Sequence, residues 1–283
     1  MFNFLLFFIS PEVDCCPCFP PGRISETHMF TMATCRTETE SVEESNDPGA
    51  APHGNFINYY TFNPPENRLS LIPASLLRDL GLSCGEKTLL LDVGCNSGDL
   101  SVAFYNHVVQ LPVCGEESEG REVHLLGFDL DEALIQRAQD ANPLPSNVSF
   151  IPLDITTDTE TLQGYLSGHG CSLFHLSLCL AVTMWVHLNH GDSGLLQLLS
   201  HLASISQHLL LEAQPWKCYR SAARRLRKLG RSDFDNFKTL KIHGDIAKHV
   251  REHLERQCGM ELIQSFGSTV WDRKLLLFRR TRS

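Results

Sequence analysis

No membrane anchor is expected: the apolar stretch Phe2–Ile9 is far too short to cross a bilayer, and it lacks the basic n-region of a secretory signal. Positive charge is scarce. Lys and Arg number 24 against 33 Asp and Glu, and the net charge of −9 argues against a general polyanion binder. The eleven cysteines form no framework. Cys15, Cys16 and Cys18 lie in a proline-rich segment without a His or Cys pair at partner spacing, and others, such as Cys95, Cys171 and Cys179, sit in apolar runs. They read as free thiols of a reducing compartment, with no metal site expected. There is no internal repeat. The glycine turn at residues 94–98 has neither the spacing of the dinucleotide fingerprint nor a following P-loop Gly-Lys-Ser/Thr.

What is present is a chain of 283 residues, 42% hydrophobic and 20% charged, which suits a soluble domain of about 200 to 250 residues. Its charge is uneven. Residues 1–53 hold two basic residues, Arg23 and Arg36, against eight acids, a local balance of −6 that leaves the rest near −3. A basic patch in that remainder can therefore matter. Thr37–Asp47 is polar and acidic, a composition that cannot bury a core. Residues 1–50 are expected to be a disordered N-terminal extension, and residues 51–283 the folded domain.

From Asn55 the organisation is regular. Asn55–Pro65 is rich in aromatics, Asn and Pro and reads as an irregular arm; Arg68–Leu80 reads as a helix on the core. Strands are expected at 88–93, 123–129, 148–153, 173–180, 208–212, 262–266 and 275–279. Helices are expected at 99–109, 131–140, 194–206, 219–229 and 245–258. This alternation predicts an α/β fold, a doubly wound and mostly parallel seven-stranded sheet with ligands at the carboxyl ends of its strands.

The strand ends carry the chemistry. Leu89–Val93 is an apolar run containing Asp92, and it breaks into Gly94-Cys95-Asn96-Ser97-Gly98, a turn that lets a ligand approach the backbone. The second strand ends at Asp129, placed to accept the hydroxyls of a ribose, whereas Asp131 suits the cap of the next helix. The third ends at Asp154-Ile155, a carboxylate for an exocyclic amine beside an apolar cover for a ring; a loop or cap role is the alternative for Asp154. Three acids at three successive strand ends argue for a nucleoside.

These motifs resemble those of the class I S-adenosylmethionine-dependent methyltransferases, with Asn96 where a glycine is usual. A narrower resemblance follows from Gly54-Asn55-Phe56, Tyr59-Tyr60, Gly94-Cys95-Asn96, Trp185-Val186-His187-Leu188-Asn189 and Leu211-Glu212-Ala213-Gln214-Pro215-Trp216. In this order they are similar to the bicoid-interacting-protein-type RNA methyltransferases, over about residues 50–280. Met184 before Trp185 and the run Trp216–Arg220 look closer to the cytoplasmic branch that methylates RNA 5′ monophosphates than to the nuclear branch, and so imply a cytoplasmic protein. Three positions depart from the pattern: Ala213 replaces a proline, His175 an early strand acid, and Phe56 a tyrosine.

The resemblance implies a Rossmann-like class I fold, S-adenosylmethionine as cofactor, and methyl transfer to the 5′ monophosphate of small RNAs, precursor microRNAs or histidine tRNA, by a monomer. It implies a cofactor site of Arg68, Asp92, Gly94, Asn96, Asp129, Asp154, Ile155 and Leu180, in which Arg68 suits the methionine carboxylate. On the acceptor side it implies Tyr59, Tyr60, Trp185, His187 and Asn189. Trp185 either stacks on the terminal base or packs in the core; His187 either bonds a phosphate oxygen or is structural. The basic residues Lys217, Arg220, Arg224, Arg225, Arg227, Lys228 and Arg231 follow Trp216, and 220, 224, 227 or 228, and 231 share one helix face, which suits an RNA backbone. A solvated helix face is the plainer alternative. A small-molecule or protein acceptor, or an RNA-binding scaffold without catalysis, are the competing functions. A phosphate monoester is already anionic near neutrality, so its methylation needs positioning more than a base.

Overall fold

Strand β1 (Thr88–Val93) is buried along its whole length because layers cover it on both sides. It lies at the centre of a computed structural model that describes residues 51–82, 87–109, 122–158, 160–232 and 234–281. The expected extension over residues 1–50 lies outside the described residues. β1 pairs in parallel with β2 (Val123–Asp129) on one side and with β4 (Phe174–Leu180) on the other. β3 (Val148–Pro152) extends the sheet beyond β2, and β5 (Ser206–Glu212) beyond β4, both in parallel. An antiparallel hairpin, β6 (Met260–Ser268) and β7 (Lys274–Arg280), completes the edge through β7. The seven strands run β3-β2-β1-β4-β5-β7-β6. This is the expected doubly wound, mostly parallel seven-stranded sheet. The chain leaves β1 first toward β2 and later returns to β1's other side as β4. The crevice at their carboxyl ends is therefore the switch point at which such sheets bind ligands.

Nine helices occur among the described residues. The three short ones are α1 (Tyr59–Phe62), α2 (Glu66–Leu69) and α3 (Leu76–Asp79). The others are α4 (Asp99–Val109), α5 (Glu132–Asp140), α6 (Glu160–Gly168), α7 (Thr183–Ile205), α8 (Trp216–Lys228) and α9 (Ile246–Gln257). Side chains alternate across β1. Leu89, Leu91 and Val93 enter the core shared with α6 to α9, whereas Leu90 enters the core shared with α3, α4 and α5.

Three expectations need correction. Arg68–Leu80 is not one helix, because Pro73 has no N–H to continue it and α2 ends before α3 begins. α6 has no counterpart among the expected helices: it is short, its buried contribution is Leu162 and Leu166, and its start rests on Asp158 accepting from the Glu160 and Thr161 N–H groups. Trp185–Asn189, which lies outside the expected helices, is the opening of α7. That helix is kinked at Gly191 (φ 69°, ψ −171°), and the expected helix at 194–206 corresponds to its second half alone.

Candidate functional site

A cavity of about 380 Å³ opens at the carboxyl ends of β1 to β4. All eight expected cofactor residues line it: Arg68, Asp92, Gly94, Asn96, Asp129, Asp154, Ile155 and Leu180. So do Tyr59, Tyr60 and Trp185 from the expected acceptor side. The turn after β1 holds Gly94 at φ 70°, where an added Cβ would stand 2.6 Å from Val182 Cγ2. Asn96 adopts φ 53°, a left-handed conformation that Asn tolerates better than most residues. Its N–H donates to Asp129 Oδ2 at 2.9 Å, so the second strand's acid is tied to the first strand's turn.

The carboxylates differ in their surroundings. Asp129 also accepts from the Asp131 N–H at 3.1 Å; burial raises its pKa, and those backbone bonds oppose the rise. Burial pushes Asp92 up to about 7, against the Ser101 hydroxyl, which donates to it at 2.5 Å, and against nearby Arg68. Half-buried Asp154 closes its own turn, accepting from the Thr156 N–H and hydroxyl at 2.9 and 2.6 Å. Asp131 caps α5 as expected, accepting from the Ala133 and Leu134 N–H groups.

Arg68 is fully buried. Its Nε donates to Glu212 Oε2 at 2.5 Å and its Nη2 to the Tyr59 hydroxyl at 2.8 Å, while Nη1 has no partner among the described residues. Burial alone would lower the pKa of Arg68, but Tyr59 and Glu212 outweigh it and raise it. A permanent cation with one open donor edge is what a carboxylate requires.

The arm that precedes α1 closes the opposite side. Asn55 Nδ2 donates to Asp131 Oδ2 at 2.8 Å, Asn96 Nδ2 to the Phe56 carbonyl at 3.1 Å, and Arg137 Nη1 to the Ile57 carbonyl at 3.3 Å. Gly54 lies against the Trp185 indole so closely that an added Cβ would be 2.2 Å from Nε1. Trp185 meets Phe56 edge to face at 6.0 Å, and the Arg225 guanidinium lies 4.5 Å from the Phe56 ring and 5.8 Å from the Trp185 ring. Trp185 thus packs against the protein, as one of its two expectations had it, and it also walls the cavity.

His187 and Asn189 do not line the cavity, which corrects their expected place on the acceptor side. They share a helix with Trp185, two and four residues on, and their side chains are engaged by other protein groups. His187 is buried between the Tyr219 hydroxyl (3.0 Å from Nδ1) and Asp192 (2.8 Å from Nε2). Burial lowers its pKa, which Asp192 partly offsets. Asn189 donates to the carbonyls of Pro52 and Trp185 and so fastens the arm to α7. Gln214, in the run after β5, locks two loops together: it donates to the Ala181 carbonyl and accepts from the Thr183 hydroxyl and the Met184 N–H.

On and just after α8, Arg220, Arg224, Arg227, Lys228 and Arg231 are exposed, and none reaches the cavity. Lys217 is half-buried and pairs with Asp272 at 3.4 Å. Several site residues escape sequence reasoning. His53 and His190 stand at the cavity, and burial and the charge of His190 lower the pKa of His53 against Asp154 and Asp129. Arg225 belongs to the basic cluster, and nothing in the sequence sets it apart from its neighbours. Glu212 lies inside the motif Leu211–Trp216 without a role of its own, and Trp271 and Arg273 have no local signal. Among the described residues no group of three or more His, Cys, Asp or Glu could hold a metal ion, and no helix is long and apolar enough to cross a membrane.

Comparison with known proteins places these features in a family. The family described as Bicoid-interacting protein 3 (Bin3) matches residues 174–280. A Danio rerio pre-miRNA 5′-monophosphate methyltransferase is 69% identical over 243 residues, covering 84% of this chain and 96% of that one. The Homo sapiens RNA 5′-monophosphate methyltransferase is 51% identical over 252 residues, 86% of each chain. Among solved structures, the N-methyltransferase NodS of Bradyrhizobium japonicum is 16% identical with a TM-score of 0.48, over 79% of this chain and 91% of that one.

Proposed function

The chain belongs to the Bin3-type RNA methyltransferase family, and from that premise we propose that it transfers a methyl group from S-adenosylmethionine to the 5′ monophosphate of a small RNA. The observation that carries the reading is the position of Trp185. Its indole walls the cavity and also lies beneath Arg225 of α8, so the methyl-donor pocket and the basic helix meet at one side chain.

The residues present fit S-adenosylmethionine. Arg68 offers a buried donor without a partner that would receive the methionine carboxylate, Asp129 at the cavity would accept the ribose hydroxyls, and Asp154 with Ile155 would hold the adenine. Bound there, the cofactor supplies an electrophilic methyl on a sulfonium. The chain's own residues position and exclude water. Gly54, Trp185, Tyr59 and Tyr60 wall the acceptor side. The Tyr60 hydroxyl donates to the Cys95 carbonyl at 3.2 Å, and burial, with the charge of Asp92, raises its pKa far enough to keep it protonated. It is therefore no base, and none is needed, because the acceptor phosphate is already ionised with a second pKa of about 6. The exposed arginines of α8 hold the RNA backbone beyond the terminal nucleotide.

A precursor microRNA or histidine tRNA is the acceptor in this reading, and the name of the Danio rerio relative supports the former. The protein works in the cytoplasm, a reading supported by the free thiols of Cys95, Cys171, Cys179, Cys218 and Cys258. In this reading it works as a monomer. The test uses labelled S-adenosylmethionine with one RNA carrying either a 5′ monophosphate or a 5′ hydroxyl. Label should enter the monophosphate RNA alone and should protect that phosphate from phosphatase. Equal labelling of the hydroxyl RNA would overturn the phosphate assignment.

A further inference from the structure

Behind the cavity two guanidinium groups share one buried carboxylate. Arg68 Nε lies 2.5 Å from Glu212 Oε2, and Arg273 Nη1 lies 3.1 Å from Glu212 Oε1. Arg68 and Glu212 are 0% exposed and Arg273 is 4% exposed. Burial opposes ionisation of Glu212, yet the two arginines hold its carboxyl below the usual range. The nearby carboxylate of Asp92 accepts from the Ser101 hydroxyl, and burial pushes its pKa up to about 7. Arg68 Nη1 is buried without a partner among the described residues, and an unsatisfied buried donor is costly, so the arrangement suits an anion that arrives with a ligand.

The turn between β6 and β7 covers this cluster. Arg68 Cζ is 5.4 Å and Arg273 Cζ 5.6 Å from the centre of the Trp271 ring, within cation–π range. The turn is closed by the Thr269 N–H on the Arg273 carbonyl and the Asp272 N–H on the Thr269 carbonyl, each at 2.9 Å. Asp272 also meets Lys217 Nζ at 3.4 Å, which pins the turn to the start of α8. Arg68 is consequently fixed on three sides, by Glu212 at Nε, Tyr59 at Nη2 and Trp271 across its face, and Nη1 is the donor left over.

We propose that Glu212, Trp271 and Arg273 are positioning residues of the cofactor site, which hold the Arg68 guanidinium so that its unpartnered edge receives the carboxylate of the methyl donor. The β6–β7 turn is thereby part of the donor pocket although it does not line the cavity. The proposal rests on the methyl-donor reading above. Its particular content is that these residues matter for the carboxylate and not for the rest of the donor.

The test compares S-adenosylmethionine with its decarboxylated analogue by calorimetry on the full chain. Wild type should prefer the carboxylated ligand. Trp271→Ala should weaken S-adenosylmethionine binding about five- to thirty-fold while changing the decarboxylated ligand less than about two-fold. Trp271→Leu keeps an apolar cover without a π face and should lose the preference in the same way, whereas Trp271→Phe should keep it. Glu212→Gln, if it folds, should act as Trp271→Ala does. Equal weakening of both ligands in the Ala and Leu variants would overturn the proposal, and so would an unchanged preference. Wild-type protein that binds neither ligand would instead overturn the donor reading itself.

Discussion

Burial decides what each carboxylate of the site can do. Asp129 keeps two backbone donors and stands at the cavity, so it can accept more bonds from a ribose. Asp129→Ala should weaken S-adenosylmethionine binding by about 1.5–3 kcal/mol through loss of charged hydrogen bonds. Calorimetry that shows unchanged affinity would remove Asp129 from the donor site. Asp92 behaves differently. Its folded pKa, pushed up to about 7, lies above the unfolded carboxylate value, so the native state holds a proton that the unfolded chain has released. Its contribution is therefore present at acid pH and is lost as pH rises from about 4 to about 7, at up to about 1.4 kcal/mol per unit. Asp92→Asn removes that loss. Its melting temperature relative to wild type should climb across this window and then level off; a difference independent of pH would show that Asp92 titrates normally.

At the scale of the element, the arm and α8 both meet α7 at Trp185. Gly54→Ala would drive a Cβ to 2.2 Å from Trp185 Nε1 and would strain a backbone at φ +79°. The arm must then lift. With each substrate varied in turn, kcat/KM for RNA should fall about ten-fold or more, a loss of at least about 1.4 kcal/mol, and affinity for S-adenosylmethionine should fall less. Comparable losses for both substrates would mean that the arm serves the donor pocket instead. Strands are legible in the sequence because their apolar runs end in acids at β1, β2 and β3, and the acids that line the cavity follow from the same feature. α6 is not legible, since one buried Leu pair leaves too weak a period. Nor is the helical start of α7: His187 and Asn189 look functional within their motif, but their chemistry is spent on Tyr219, Asp192 and the backbone of Pro52 and Trp185. Glu212, Arg273 and Trp271 escape because Arg68 meets its carboxylate 144 residues away, beyond any local pattern.

The whole molecule carries a net charge of −9, so RNA must approach through a local basic face while the remaining surface repels it. α8 presents that face, with Arg220 and Arg224 exposed one turn apart. Each phosphate that they neutralise releases counterions, and removing one such arginine–phosphate pair lowers the salt slope of binding by about one. Arg220→Glu with Arg224→Glu should therefore raise the RNA KM strongly and flatten its dependence on salt by about two. The KM for S-adenosylmethionine should barely move, because neither arginine lines the cavity. An unchanged RNA KM would return α8 to a plain solvated face and leave the enzyme assignment standing.

Charge across the whole molecule also governs what should titrate during catalysis. The acceptor brings its own negative charge, and burial fixes Tyr60 at the cavity in its protonated form. Turnover should then follow the phosphate: kcat/KM for RNA should rise with pH to a midpoint of about 6, the second ionisation of a phosphate monoester, and stay level above it. His187 has no part in that limb, because it is buried away from the cavity between Tyr219 and Asp192. His187→Asn should cost stability by breaking that chain, yet leave the midpoint where it is. His53 and His190 do reach the cavity and are the groups that could imitate the phosphate limb. In His53→Ala with His190→Ala the absolute rate can fall, but the midpoint should stay at about 6. A midpoint that disappears with the two histidines would mean that one of them acts as a base, and the claim that positioning alone suffices for this transfer would fail.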